Sequence, residues 1–254
     1  MDLIEKAPVT RAFNRYVAAY NASDPKIALK IAHTYRVAGL CERIAASIGA
    51  DAGLAWLCGM LHDIGRFEQV RRYGTFVDAQ SVDHAAFGAD LLFVDGLIGS
   101  FVPEGFGAAP RSILETAIRH HSAYRLPKGL SDEAAMYCHI LRDADKIDIL
   151  RVNCETPLED IYNVTTEALR TSAVSDAVKA CFRRRTTVER SLKRTPADYV
   201  VAHVCLVFEL VYPLSAAIAR EQGYADRLMD FPSENPDTRA WFEEMRQTLW
   251  TPRD

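Results

Sequence analysis

Apolar residues recur along this chain at intervals of three and four, the period of helices that bury one face. Between Leu54 and Gln69 the sequence reads LAWLCGMLHDIGRFEQ, and Leu54, Leu57, Leu61 and Ile64 form one stripe of a buried helix. Upstream, His33, Val37, Leu40, Ile44 and Ile48 form a second stripe on a longer helix, from about Pro25 to Ile48. Pro25 suits its first turn, Gly49 can close it, and Asp51 can cap the helix that follows, so the two make an αα-hairpin. A first amphipathic segment, Pro8 to Tyr20, ends in the turn cluster Asn21 to Pro25. Later helical patterns run from about Val82 to Phe93, from Ile113 to His121, and from a Ser131 cap to about Val152. Thr195-Pro196 opens a long buried helix through the apolar run Val200 to Ala219, with a kink at Pro213. A last helix starts at Asn235-Pro236 and ends near Trp250. No alternating strand pattern, repeat or low-complexity tract interrupts this series. The prediction is an all-α protein, residues 1–254 forming a single helical domain with a core at about 25–155 and a C-terminal helical extension at about 156–254.

The breaks between helices carry their own expectations. Gly65 should end the helix that bears His62 and Asp63, because a residue without Cβ takes the left-handed cap cheaply. Residues 66 to 81 then read as a charged, aromatic connection, with Arg71 and Arg72 in solvent. Residues 95 to 110, rich in Gly and Pro, read as a loop or mobile lid. The basic run Arg183 to Arg194 reads as a solvated helix face.

Composition narrows the class. Hydrophobic residues make up 49% of 254 and charged residues 25%, an ordinary globular balance with enough apolar mass for a full core. A net charge of −4 supplies no field for polyanions, so nonspecific nucleic-acid binding is not expected. Six cysteines are scattered singly, mostly in apolar helical stretches, as expected of buried thiols in a reducing cytoplasm. The N-terminus is too charged for a signal peptide. The run Val200 to Ala219 is long enough to span a membrane, but His203, Glu209 and Pro213 interrupt it, so no membrane partner is expected.

The candidate chemistry lies where the stripes end. His62 and Asp63 stand side by side at a helix terminus with an apolar wall behind them, an arrangement that suits a divalent cation. His33 points inward from the preceding helix. His84, the pair His120-His121, and the segment LRDADKIDIL with Asp143, Asp145 and Asp148 follow.

The order His33, then His62-Asp63, then an Asp in an Ala-Asp-Lys context, resembles the HD-domain superfamily of metal-dependent phosphohydrolases, of whose core motif HDIG is a frequent form. The resemblance covers roughly residues 25 to 155. It implies that His33, His62, Asp63 and Asp145 hold one metal, that Asp63 bridges, and that His84 with His120 or His121 holds a second. The family's Asp precedes a basic and an apolar residue, which selects Asp145 in Ala144-Asp145-Lys146-Ile147; Asp143 lies 200° around the helix. Two divalent transition metals per chain are implied, drawn from Fe, Mn, Zn, Ni or Co, with Mg also admitted. Metal-activated water would attack phosphorus.

Arg66, three residues after Asp63, is placed to grip a phosphate oxygen. Asp148 is a ligand-orienting or substrate contact, and Lys146 an ion-pair partner or a phosphate contact. The implied substrate is a small phosphate ester or phosphodiester, nucleotide-like in kind. Two other readings stand beside this one: a mixed-valent diiron oxygenase of the HD type, and a non-catalytic nucleotide sensor, against which the full ligand set argues. Deoxynucleotidase members carry Glu where this chain has Arg66. The guanosine-tetraphosphate hydrolases carry a Glu-Asp pair that is missing here. The HD-GYP phosphodiesterases carry Lys at the Arg66 position and a signature after the His pair that Ser-Ala-Tyr-Arg does not match. The class is therefore set and the substrate is open.

Overall fold

A computed structural model describes residues 4–251. Among them every regular element is helical and no strand occurs, so the fold class is all-α. The chain divides into two compact units between Asp145 and Lys146.

The first unit begins with α1 (Lys6–Val17), α2 (Pro25–Ser47), α3 (Ala52–Leu61) and α4 (Ile64–Tyr73). Asp24 caps α2 by accepting from the Lys26 amide, with Pro25 at its first position; Asp51 caps α3 by accepting from the Leu54 amide. The α2–α3 hairpin buries Val37, Leu40, Cys41 and Ile44 with Leu54, Leu57 and Leu61. Each such aliphatic side chain contributes roughly 1.5–3 kcal/mol by leaving water. Ile48 does not complete the stripe: it is the exposed residue at the C-terminus of α2, where Gly49 turns the chain at φ +73°. Phe67 ties α1 to α4, its ring 5.9 Å from Phe13, 6.1 Å from Tyr16 and 5.6 Å from Tyr20.

Gly65 does not end a helix. It lies inside α4, which runs on to Tyr73 and closes at Gly74 in the left-handed conformation, so the first half of the expected connection at 66–81 is helical. The actual break is at Asp63, whose φ of −102° and ψ of 16° separate α3 from α4. The charged residues mask the helix because they form its outer face: Arg71 and Arg72 are exposed and both pair with the buried Glu68.

Next come α5 (His84–Ala89), continued by a π-helical turn at Asp90–Val94, and α6 (Ala108–His120). The Gly/Pro-rich stretch between them is anchored by buried Ile98, Phe101 and Phe106, with a 3-10 turn at Leu97–Ser100, which does not suit a mobile lid. The last element of this unit is the N-terminal part of α7 (Asp132–Glu155), whose first turn is capped by Ser131 Oγ accepting from the Ala134 amide.

The second unit takes the remainder of α7, then α8 (Leu158–Tyr162), α9 (Thr166–Thr171), α10 (Asp176–Arg183), α11 (Pro196–Val204), α12 (Pro213–Gln222), α13 (Tyr224–Met229) and α14 (Pro236–Thr248). Its core gathers Leu150, Leu169, Val178, Phe182, Val200, Val201, Val204, Leu228, Trp241 and Phe242. The expected long helix through Val200 to Ala219 is two helices: α11 passes into a 3-10 turn at Cys205–Glu209, and Pro213 starts α12. A proline lacks the amide that an interior position needs but fits a first turn, so it divides the apolar run where a kink was expected. The basic run past Arg183 is likewise a turn and a 3-10 segment, Arg190–Leu192. Among the described residues no helix is long and apolar enough to cross a membrane.

Candidate metal centre

Two glycines bring the ligand-bearing helices together. A Cβ on Gly59 of α3 would sit 2.5 Å from Ala38 Cα of α2, and one on Gly65 of α4 would sit 2.7 Å from Gly88 N and from His84 O of α5. Only bare backbone permits these crossings. The first places His62 against His33; the second places Asp63 beside His84.

Asp63 is the hub. Its Oδ2 lies 3.4 Å from His62 Nε2 and 3.6 Å from His33 Nε2, while its Oδ1 lies 3.6 Å from His84 Nε2 and 3.7 Å from His121 Nε2. Asp145, on α7, completes the first side, with Oδ1 3.2 Å from His33 Nε2 and 3.8 Å from His62 Nε2. All six residues belong to the first unit, and His33, His62, Asp63, His84 and His121 are buried. Two donor groups centre on Asp145 and Asp63, His33 with His62 and Asp145, and His62 with Asp63 and His121, each with ligand atoms within 4.8 Å of one another; a third such group, Asp78 with Asp83 and His84, shares only His84 with these six residues.

His120 joins neither group. His121 is the residue turned toward His84, their Nε2 atoms 3.0 Å apart. Arg142, one turn before Asp145 on α7, holds this end of α6 by donating to the carbonyls of His120, His121 and Ala123. Asp143 is buried but belongs to neither group.

The tautomers show what the donor set fits. His62 Nδ1 lies 2.7 Å from Gly59 O and His121 Nδ1 2.7 Å from Ile118 O, so both carry their proton on Nδ1. His84 Nδ1 lies 2.7 Å from the Asp78 carboxylate and is protonated for the same reason. The Nε2 atoms are then bare lone pairs. His84 and His121 direct theirs at one another across 3.0 Å, which is repulsive without a cation between or beside them. Imidazole and carboxylate donors of this kind fit a divalent transition metal.

The electrostatics agree. Burial alone would raise the Asp63 carboxyl, but the Lys30 ammonium 2.6 Å away and then His62 hold it well below the usual carboxylate range. Asp145 is lowered against its burial by the His33 hydrogen bond and neighbouring imidazoles. Burial lowers His84 to about 4, partly opposed by Asp78. All three groups therefore sit in the ionisation state that a metal requires.

Arg66 is placed differently from expectation. Its Nη1 donates to Phe76 O at 2.7 Å, Gln69 Oε1 at 2.8 Å and Asp78 Oδ1 at 2.8 Å. Its buried Nε lies 3.7 Å from Asp63 Oδ1 and has no hydrogen-bond partner. Lys146 and Asp148 lie in the second unit, where Lys146 pairs with Glu209 at 3.1 Å and Asp148 is buried.

Lys30, Asp78 and Arg142 escaped the reading of the sequence. For Lys30 a signal existed, since it precedes His33 by three residues and so shares its helix face. Asp78 opens a single 3-10 turn, Asp78–Gln80, and Arg142 acts on carbonyls from another helix; periodicity reports neither.

An all-α unit that focuses four imidazoles and two carboxylates on one buried point is a candidate metal-dependent enzyme. Residues 31–150, the segment that holds every one of these donors, match the family model of the HD domain. HD domains bind divalent metals, and the family consists mostly of metal-dependent phosphohydrolases. No curated protein and no solved structure matches the chain.

Proposed function

We propose that this protein hydrolyses a phosphate monoester or diester in a small, nucleotide-like substrate, with residues 1–254 acting as one HD-type enzyme. The observation that carries the reading is the division of Asp63, one oxygen facing His33 and His62 and the other facing His84 and His121. That geometry suits a carboxylate shared by two cations, with Asp145 closing the first site. Bound there, divalent metals supply an activated water and neutralise charge on phosphoryl oxygens.

The chain's own residues do the rest. Gly59 O and Ile118 O fix the imidazoles of His62 and His121 as Nε2 donors. Lys30, its side chain 17% exposed, pairs with Asp63 Oδ2 at 2.6 Å. When a cation takes over its charge partner, the ammonium is positioned to hold a substrate oxyanion. With Nη1 of Arg66 engaged by Asp78 and Phe76, Lys30 is the stronger candidate for the phosphate contact, and Arg66 contributes only through Nε.

The test is metal analysis of protein purified without added metal, followed by a screen of phosphate monoesters and diesters under anaerobic conditions. Two transition-metal ions per chain with phosphate release is the expected result. Bound iron with substrate-dependent oxygen uptake and no phosphate release would replace this reading with the oxygenase one.

A further inference from the structure

His62 and His121 both settle their Nδ1 proton on the carbonyl three residues earlier in their own helices. His84 has no such carbonyl. It is the first residue of α5, and the residue three before it, Ser81, lies outside the helix. The acceptor it needs comes from elsewhere: Asp78 Oδ2, at 2.7 Å.

Asp78 is itself held. Its Oδ1 accepts from Arg66 Nη1 at 2.8 Å and from Gln69 Nε2 at 3.0 Å. Gln69 is fully buried, and the same Nε2 donates to Ser81 Oγ at 2.8 Å and Val82 O at 3.2 Å, so its amide cannot turn over without losing all three contacts. Arg66 closes the strap at its other end by donating to Phe76 O. A solvated connection between two helices needs no buried glutamine and no guanidinium shared among three acceptors. The strap is built to aim one carboxylate at one imidazole.

We propose that Asp78, oriented by Arg66 and Gln69, is the positioning residue that fixes His84 in its Nδ1–H tautomer and so creates the second cation site. This rests on the two-cation reading above. It also gives Arg66, three residues beyond the His-Asp pair, a structural task in that site.

The isosteric variant Asp78→Asn makes the sharp test. Arg66 and Gln69 Nε2 offer only donors, so the new amide must turn its oxygen toward them and its NH2 toward His84 Nδ1. Nδ1 must then accept, the proton moves to Nε2, and the ligand atom is lost. Nitrogen-15 NMR of histidine-labelled, metal-free protein should show His84 as Nδ1–H in the wild type and Nε2–H in Asp78→Asn. Titration with Mn(II) should show two sites in the wild type and, in the variant, the second weakened by about 10- to 100-fold with the first unchanged. A variant that keeps the wild-type tautomer, or binds two Mn(II) with wild-type affinity, overturns the proposal. If the variant does not fold, the wild-type spectrum still decides, because Nε2–H His84 there overturns it. Correct tautomers and Mn(II) binding without any phosphate release would count against the hydrolase reading alone.

Discussion

Replacing Gly65 by alanine should disable the second half of the centre while leaving the rest of the protein folded. The added methyl would sit 2.7 Å from Gly88 N and His84 O and 2.8 Å from Gly88 Cα, where ordinary contact begins at 3.4 Å. All three are backbone atoms and cannot rotate aside, so α4 and α5 must part by about 0.7 Å. Overpacking on this scale costs about 1–3 kcal/mol, a loss a domain of ordinary stability survives. The ligand geometry is less forgiving, since metal–ligand distances tolerate only about 0.2 Å and one of the displaced atoms is the carbonyl of His84. Gly65→Ala should therefore bind one metal per chain with a lowered but cooperative thermal transition. Gly39→Ala is the matched control: nothing lies within 4 Å of its Cβ, and in the interior of α2 alanine should stabilise by about 0.5–1 kcal/mol without touching the metals. Two metals at wild-type affinity in Gly65→Ala would show that the α4–α5 crossing does not position His84.

Asp145→Ala should lose the metal held by His33 and His62, whereas Asp143→Ala should keep full metal content; elemental analysis showing the reverse would move the ligand to Asp143. Lys30→Met should raise KM for the phosphorylated substrate with metal content intact, and an unchanged KM would remove Lys30 from the substrate site. Burial lowers His203 to about 3, with Tyr162 OH 2.7 Å from its Nδ1. The unfolded imidazole titrates near 6.5, so between the two values the unfolded chain binds more protons and stability falls as pH falls. About 2 kcal/mol should vanish between pH 6.5 and 5, and His203→Gln should remove that slope in denaturant titrations; an equal slope in both proteins would assign it to other groups.

The hairpin of α2 and α3 was legible because α2 buries one face and α3 is apolar nearly all round, with caps at Asp51 and Gly49 where a sequence announces them. His33, His62 and Asp63 stood out in or beside those stripes, whereas Asp145, on α7, was selected over Asp143 only by the resemblance to the HD-domain motif. Gly65 misled because a glycine after a histidine-aspartate pair signals a cap, and only the approach of α5 reveals that the missing Cβ serves a helix crossing. The choice of His121 over His120 depends on how far α6 winds before Arg142 catches its carbonyls, a tertiary fact no local spacing contains. Arg66 was visible as a cation near the site but its partners were not, since Asp78 lies twelve residues on, past the end of α4.

The pairings at the centre are short in sequence. His33 meets His62 across 29 residues, Lys30 meets Asp63 across 33, and His84 meets His121 across 37. Contacts closed by such modest loops form early and fast, because little chain entropy is lost in closing them. A chain leaving the ribosome thus has three of its donors in reach of one another once Asp63 has emerged, and the other pair once His121 follows. Asp145 comes last and returns to His33, the longest closure of the set. Metal added during refolding should accordingly accelerate the final docking of α7 more than the formation of the α2–α3 hairpin.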